Sequence, residues 1–186
     1  MMMKEWGAPE RKFQRGETGI VVTDGRMIEG YASLFDKRDQ GGDVVRPGAY
    51  KASLAALGAA DRRVKMLWQH DPAQPIGVWD EVREDAVGLW VKGRILTEVE
   101  KGREAAALLA AGAIDGLSIG YRTVKAERDG KGRRLLSELE LWEVSLVTFP
   151  MLPEARVSAK FDELDGDTWR GLAAILADAA QAMARR

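Results

Sequence analysis

The sequence predicts a mainly β protein of the α+β class, an antiparallel β-barrel of about seven strands surrounded by helices. Three observations carry this. Strand-like stretches arrive in pairs around short polar turns, as hairpins, rather than alternating with helices as in a doubly wound sheet. Only two internal stretches and one terminal stretch have helical texture. The length of 186 residues, with 46% hydrophobic and 31% charged residues, suits a soluble chain able to bury one sizeable core.

The elements follow in order. Residues 1–16 are polar, mixed in charge and contain Pro9, and read as an N-terminal arm. Ile20-Val21-Val22 leads through Asp24-Gly25 into Met27 to Phe35, a hairpin signature. Asp36 to Pro47 is a polar loop, and Pro47 suits the first turn of a short helix over Lys51 to Leu57, stopped by Gly58. Val64 to His70 alternates, which places Val64, Met66, Trp68 and His70 on one inward row before Asp71-Pro72 turns the chain. Ile76 to Arg83 and Val87 to Ile95 form a hairpin about Glu84-Asp85. Thr97 and Glu100 have capping-box spacing, opening an alanine-rich helix to about Ala111 with Gly112 past its end. Ser118 to Glu127 is a strand that turns at Asp129-Gly130-Lys131-Gly132 into a long return strand, Arg134 to Phe149, expected to bulge near its middle. The barrel domain is thus 17–160. Residues 161–186 form a C-terminal amphipathic helix, with Trp169, Leu172, Leu176, Ala179 and Met183 on one stripe. That stripe is expected to meet a partner helix, from a second copy of the chain as in a homodimer or from another protein, with packing on the barrel as the plainer alternative.

Composition removes several chemistries. With no cysteine, thiol catalysis, disulfides and cysteine-ligated zinc are excluded, and a single histidine makes a transition-metal site a poor expectation. The formal net charge of −1 gives no broad attraction for nucleic acid. No run approaches the roughly 18 apolar residues of a membrane span, and Met1-Met2-Met3-Lys4 is not followed by the core of an export signal.

One stretch draws attention as a candidate for chemistry. Gly116-Leu117-Ser118-Ile119-Gly120 puts a hydroxyl between two glycines, where another chain can approach closely. It matches the nucleophile-elbow pattern of α/β-hydrolases only formally. The elbow needs strand then helix, with the histidine later in the chain, and both orders are reversed here. A Ser–His pair is geometric, however, and two strand ends at a barrel rim could bring His70 to Ser118. A partly buried histidine beside a turn is the plainer alternative. On the return strand Leu139, Leu141, Glu143, Ser145, Val147 and Phe149 are expected on one face. A carboxylate in an apolar row needs a partner, so Glu143 either orients His70 or pairs with an arginine. Arg122, two pleats beyond Ser118 on the same side, is a candidate substrate contact.

Four blocks now resemble a known family. Phe35-Asp36 with Gly42-Asp43-Val44-Val45-Arg46-Pro47-Gly48-Ala49-Tyr50, Leu67-Trp68-Gln69-His70-Asp71, Gly116-Leu117-Ser118-Ile119-Gly120-Tyr121 and Trp142-Glu143-Val144-Ser145-Leu146-Val147-Thr148-Phe149-Pro150 resemble, in order, the HK97-type prohead maturation proteases of tailed phages, prophages and gene transfer agents. The resemblance covers roughly 17–160 and stops short of the first 15 residues and of the helix after Gly166. It implies a fold like the herpesvirus capsid protease, and a serine endopeptidase with Ser118 as nucleophile, His70 as base and Glu143 as third member. No cofactor is implied. The implied substrates are the major capsid protein's N-terminal scaffold-like segment or a separate scaffold, and finally the protease itself, inside the assembling prohead in the host cytoplasm. A scaffold or capsid segment is then the alternative to a second copy as the partner of the C-terminal stripe. A non-catalytic assembly factor with the same fold is the competing expectation.

Overall fold

The computed structural model describes residues 20–23 and 26–158. Its strands are β1 (Ile20–Thr23), β2 (Met27–Leu34), β3 (Asp43–Val45), β4 (Lys65–Trp68), β5 (Asp71–Glu84), β6 (Gly88–Ile95), β7 (Gly116–Arg128), β8 (Arg134–Val147) and β9 (Val157–Ser158). Its helices are α1 (Lys51–Ala59) and α2 (Glu100–Ala110). The expectations for the N-terminal arm, the Asp24-Gly25 turn and the C-terminal helix fall outside the described residues.

Among the described residues the expected antiparallel barrel of seven strands is corrected to a mixed, open sheet of nine, in the order β3-β8-β4-β5-β6-β2-β1-β9 with β7 on β8. The hairpins β1–β2, β5–β6 and β7–β8 are antiparallel, as the paired turns predict. The pairings β4–β8, β3–β8 and β1–β9 are parallel, and they join stretches far apart in the chain, which turn signals cannot reveal. The sheet curls into a half-barrel. Its two ends meet at the bridge between Gly116 and Arg156, the Leu117 amide to Ala155 carbonyl bond of 2.8 Å and the Arg156–Asp115 ion pair at 2.6 Å.

Apolar alternation fills the concave side. Ile28 of β2, Ile76 and Trp79 of β5, Leu89, Val91 and Ile95 of β6 are almost fully buried, as are Leu117, Leu139, Leu141, Val144 and Leu146 of the β7–β8 ribbon. Each such side chain contributes roughly 1.5–3 kcal/mol on leaving water. The Trp79 indole N–H, which would otherwise be stranded in this core, donates to the Val144 carbonyl at 3.2 Å.

Helix α2 begins two residues later than the capping box proposes. Its N-cap is Val99, with no side-chain cap, while Arg103 donates to the Thr97 and Glu98 carbonyls at 3.3 and 3.4 Å. A turn from the Val99 amide to the Leu96 carbonyl takes up the intervening residues, so Thr97 lies outside the helix.

The bulge expected in the return strand is present and decides which face Glu143 occupies. Gly120 opposes Glu143 and Tyr121 opposes Leu141, so Trp142 is an extra residue in β8. Directly opposed residues share a face. Ser118, Gly120, Glu143 and Ser145 therefore lie on one side, and Ile119, Val144, Tyr121 and Leu141 on the other. The single expected row of Leu139, Leu141, Glu143, Ser145, Val147 and Phe149 is corrected. The bulge turns Leu139 and Leu141 into the core and Glu143 with Ser145 away from it. Phe149 lies past the strand end and is 86% exposed.

Candidate active site

The alternation drawn through His70 ends two residues early. β4 stops at Trp68, which pairs with Asp71, leaving Gln69 and His70 as a two-residue hairpin loop. Both have positive φ, 51° and 62°. That is the backbone sign pattern of a type I′ turn, which ordinarily recruits Asn-Gly. For two residues bearing Cβ atoms it costs roughly 1–2 kcal/mol each. By simple alternation His70 would follow Trp68 onto the face of Leu146. The turn carries it instead onto the Glu143 face.

Four hydrogen bonds hold the turn in place. The Gln69 amide donates to the Leu146 carbonyl at 2.9 Å. The Gln69 side chain donates to Thr148 Oγ1 at 2.7 Å and accepts the Thr148 amide at 3.3 Å. The His70 amide donates to Ser145 Oγ at 3.1 Å. A strained conformation persists only where its surroundings over-determine it, and these contacts do so.

The imidazole lies against Glu143, with His70 Nδ1 to Glu143 Oε1 at 2.5 Å. The Glu143 side chain is only 10% exposed, while that of His70 is 42% exposed. This hydrogen bond raises the His70 pKa above its ordinary 6.5, and partial burial works in the opposite sense. The second carboxylate oxygen is also engaged: Ser145 Oγ donates to Glu143 Oε2 at 2.5 Å. Room for the carboxylate comes from Gly120, where a Cβ would stand 2.7 Å from Glu143 Cδ and 2.8 Å from Cγ. The second glycine of the Gly-x-Ser-x-Gly stretch thus makes space for a carboxylate.

Ser118 is directly opposite Ser145 in the β7–β8 register and is 5% exposed. It stands on the same face as Glu143, at the wall of a cavity of about 120 Å³ lined also by Ser33, Asp39, Gly41, Tyr121 and Met151. Across the sheet the order is β4, β8, β7, so His70 and Glu143 sit on one side of Ser118 and the cavity opens beside it. Among the described residues no hydrogen bond joins Ser118 to His70. With Nδ1 committed to Glu143, Nε2 is the imidazole atom left for a proton from a serine.

Arg122 shares the Ser118 face but lies beyond the bulge, opposite Glu140. Its Nε donates to Glu140 Oε2 at 2.7 Å, in a surface ion pair that the geometry does not bring to His70 or Glu143. Ser145 is the site residue that sequence reasoning missed. Its signal was available: a hydroxyl two residues past Glu143 on the same strand face.

The model of the caudovirus prohead serine protease family matches residues 14–167. The chain belongs to that family. It is 34% identical over 149 residues to the prohead protease of Enterobacteria phage HK97, covering 77% of this chain and 65% of that protein. It is 29% identical over 157 residues to the capsid polyprotein of Pseudomonas phage PAJU2, covering 80% of this chain and 22% of the relative. The chain therefore spans just under two thirds of the first relative and less than a quarter of the second. The solved bacteriophage T4 capsid assembly protease superposes with a TM-score of 0.50 at 15% identity, covering 65% of this chain and 82% of that one. That likeness concerns the fold.

Proposed function

We propose that this prohead-protease family member is a serine endopeptidase acting during capsid maturation, with Ser118 as nucleophile, His70 as general base and Glu143 as the group that orients it. Its substrates are a scaffold or the scaffold-like N-terminal segment of a major capsid protein, and its own chain. The carrying observation is the 2.5 Å bond from His70 Nδ1 to Glu143 Oε1 on the strand face that also bears Ser118.

The chemistry follows from the arrangement. Ser118 Oγ attacks the scissile carbonyl while its proton passes to His70 Nε2, and Glu143 stabilises the resulting imidazolium. Collapse of the tetrahedral adduct breaks the C–N bond, and the imidazolium returns the proton to the leaving amine. Water then attacks the acyl-serine with His70 again as base, releasing the acid and restoring Ser118. In the ground state the Ser–His contact is allowed to be open, since such bonds commonly tighten only with substrate bound.

Two measurements test this. A fluorophosphonate should label Ser118 in the wild type and fail to label the Ser118→Ala and His70→Ala proteins. Co-expression with the capsid and scaffold proteins of the same genome should give processing that falls on the order of 10⁴- to 10⁶-fold in Ser118→Ala. Undiminished processing by purified, folded Ser118→Ala would overturn the nucleophile assignment and favour a non-catalytic assembly factor.

A further inference from the structure

A second cleft lies between the loop after β2 and the β7–β8 turn, about 400 Å³ in volume, with Arg38, Arg128, Lys131, Arg133 and Arg134 on its walls. In a chain of net charge −1 this is a concentrated positive site. Only part of the charge is neutralised within the fold. Arg133 is held by Asp129 at 2.6 Å, and Arg134 stands 3.4 Å from Asp43. Among the described residues Arg38, Arg128 and Lys131 form no ion pair, and the buried Nε of Arg134 has no hydrogen-bond partner. Gathering like charges is unfavourable unless an anion offsets the repulsion.

The cleft adjoins the candidate active site. Gly41 and Asp43 line both it and the cavity beside Ser118. We infer that this cleft is an exosite for an acidic stretch of the peptide substrate, an inference that rests on reading Ser118 as a peptidase nucleophile. Arginine suits the role, because its planar fork binds carboxylates bidentately. Nucleic acid fits less well, since among the described residues no aromatic side chain lines the cleft to stack a base.

The test uses full-length Ser118→Ala protein and a fluorescein-labelled hexaglutamate, with binding read by anisotropy. Arg38→Glu/Lys131→Glu reverses one charge on each wall, at side chains that make no described hydrogen bond. The expected result is saturable binding that weakens with salt and falls by about tenfold or more in the double variant. Fluorophosphonate labelling of Ser118 in the otherwise wild-type protein should be unchanged by the two reversals. Absence of saturable binding, or binding indifferent to both reversals, would overturn the exosite. Tighter binding of a thymidine oligonucleotide, lost in the same variant, would also overturn it by making the cleft a nucleic-acid site. Hexaglutamate binding together with failure of fluorophosphonate to label Ser118 would instead refute the peptidase reading, and the exosite role with it, so the two failures are told apart.

Discussion

Ser145 Oγ donates to Glu143 Oε2 at 2.5 Å while accepting the His70 amide at 3.1 Å. One fully buried hydroxyl thereby ties the carboxylate to the backbone of the turn that presents the imidazole. Ser145→Ala would leave both groups short of a partner, at a stability cost of about 1–3 kcal/mol. Because the His70–Glu143 geometry would loosen, turnover is expected to fall about 10- to 100-fold. Following the His70 titration by NMR separates positioning from plain structural support. A lower melting temperature with the imidazole pKa and turnover unmoved would assign Ser145 to structure alone.

Gly120 is open to a sharper test. Any Cβ there meets the Glu143 side chain, and that side chain is confined by Ser145 and His70 on its other sides. Gly120→Ala should displace the carboxylate and cost activity about as much as Glu143→Ala, with a loss of roughly 1–3 kcal/mol from overpacking. Combining Gly120→Ala with Glu143→Ala should recover part of that stability and none of the activity. A Gly120→Ala enzyme with normal turnover would show that Glu143 tolerates displacement and does not orient His70.

The Gln69–Thr148 clamp should prove to be a coupled pair. Gln69→Ala and Thr148→Val each break the 2.7 Å side-chain bond that pins the positive-φ turn to the chain after β8. Since both remove the same interaction, their effects on stability should be less than additive, with a coupling energy of about 0.5 kcal/mol or more. Strict additivity in a double-mutant cycle would mean that the turn is held without this clamp.

The sequence made the hairpins legible because their signals are local. Glu84-Asp85 and Asp129-Gly130 punctuate alternating runs, and the ladders form where those turns put them. His70, Ser118 and Glu143 were legible as candidates because the chemistry needs rare types in particular settings, and only one histidine is present. The parallel pairing of β4 with β8 was not legible, because nothing near Lys65–Trp68 records a partner almost 80 residues away. The faces of His70 and Glu143 were misread for one shared reason. Period-2 counting fails wherever the backbone leaves the pleat, at the Gln69-His70 turn in one strand and the Trp142 bulge in the other. The two departures place both side chains on the Ser118 face.

The state of His70 should set the pH dependence. In the proposed role of general base His70 works neutral, so activity should fall as pH drops through its pKa, which the bond to Glu143 holds above 6.5. Glu143→Gln removes the carboxylate that favours the imidazolium, so the acid limb of kcat/KM should move to lower pH even as the maximum rate drops. Stability changes in the opposite sense. A histidine whose folded pKa exceeds its unfolded value contributes stability that is fully present below about pH 6.5 and is lost as pH rises through the folded pKa. Thermal denaturation across that window should show a gain in wild-type melting temperature on acidification relative to His70→Ala, and Glu143→Gln should abolish the difference. An acid limb that stays fixed in Glu143→Gln would mean that the carboxylate does not set the proton affinity of the base.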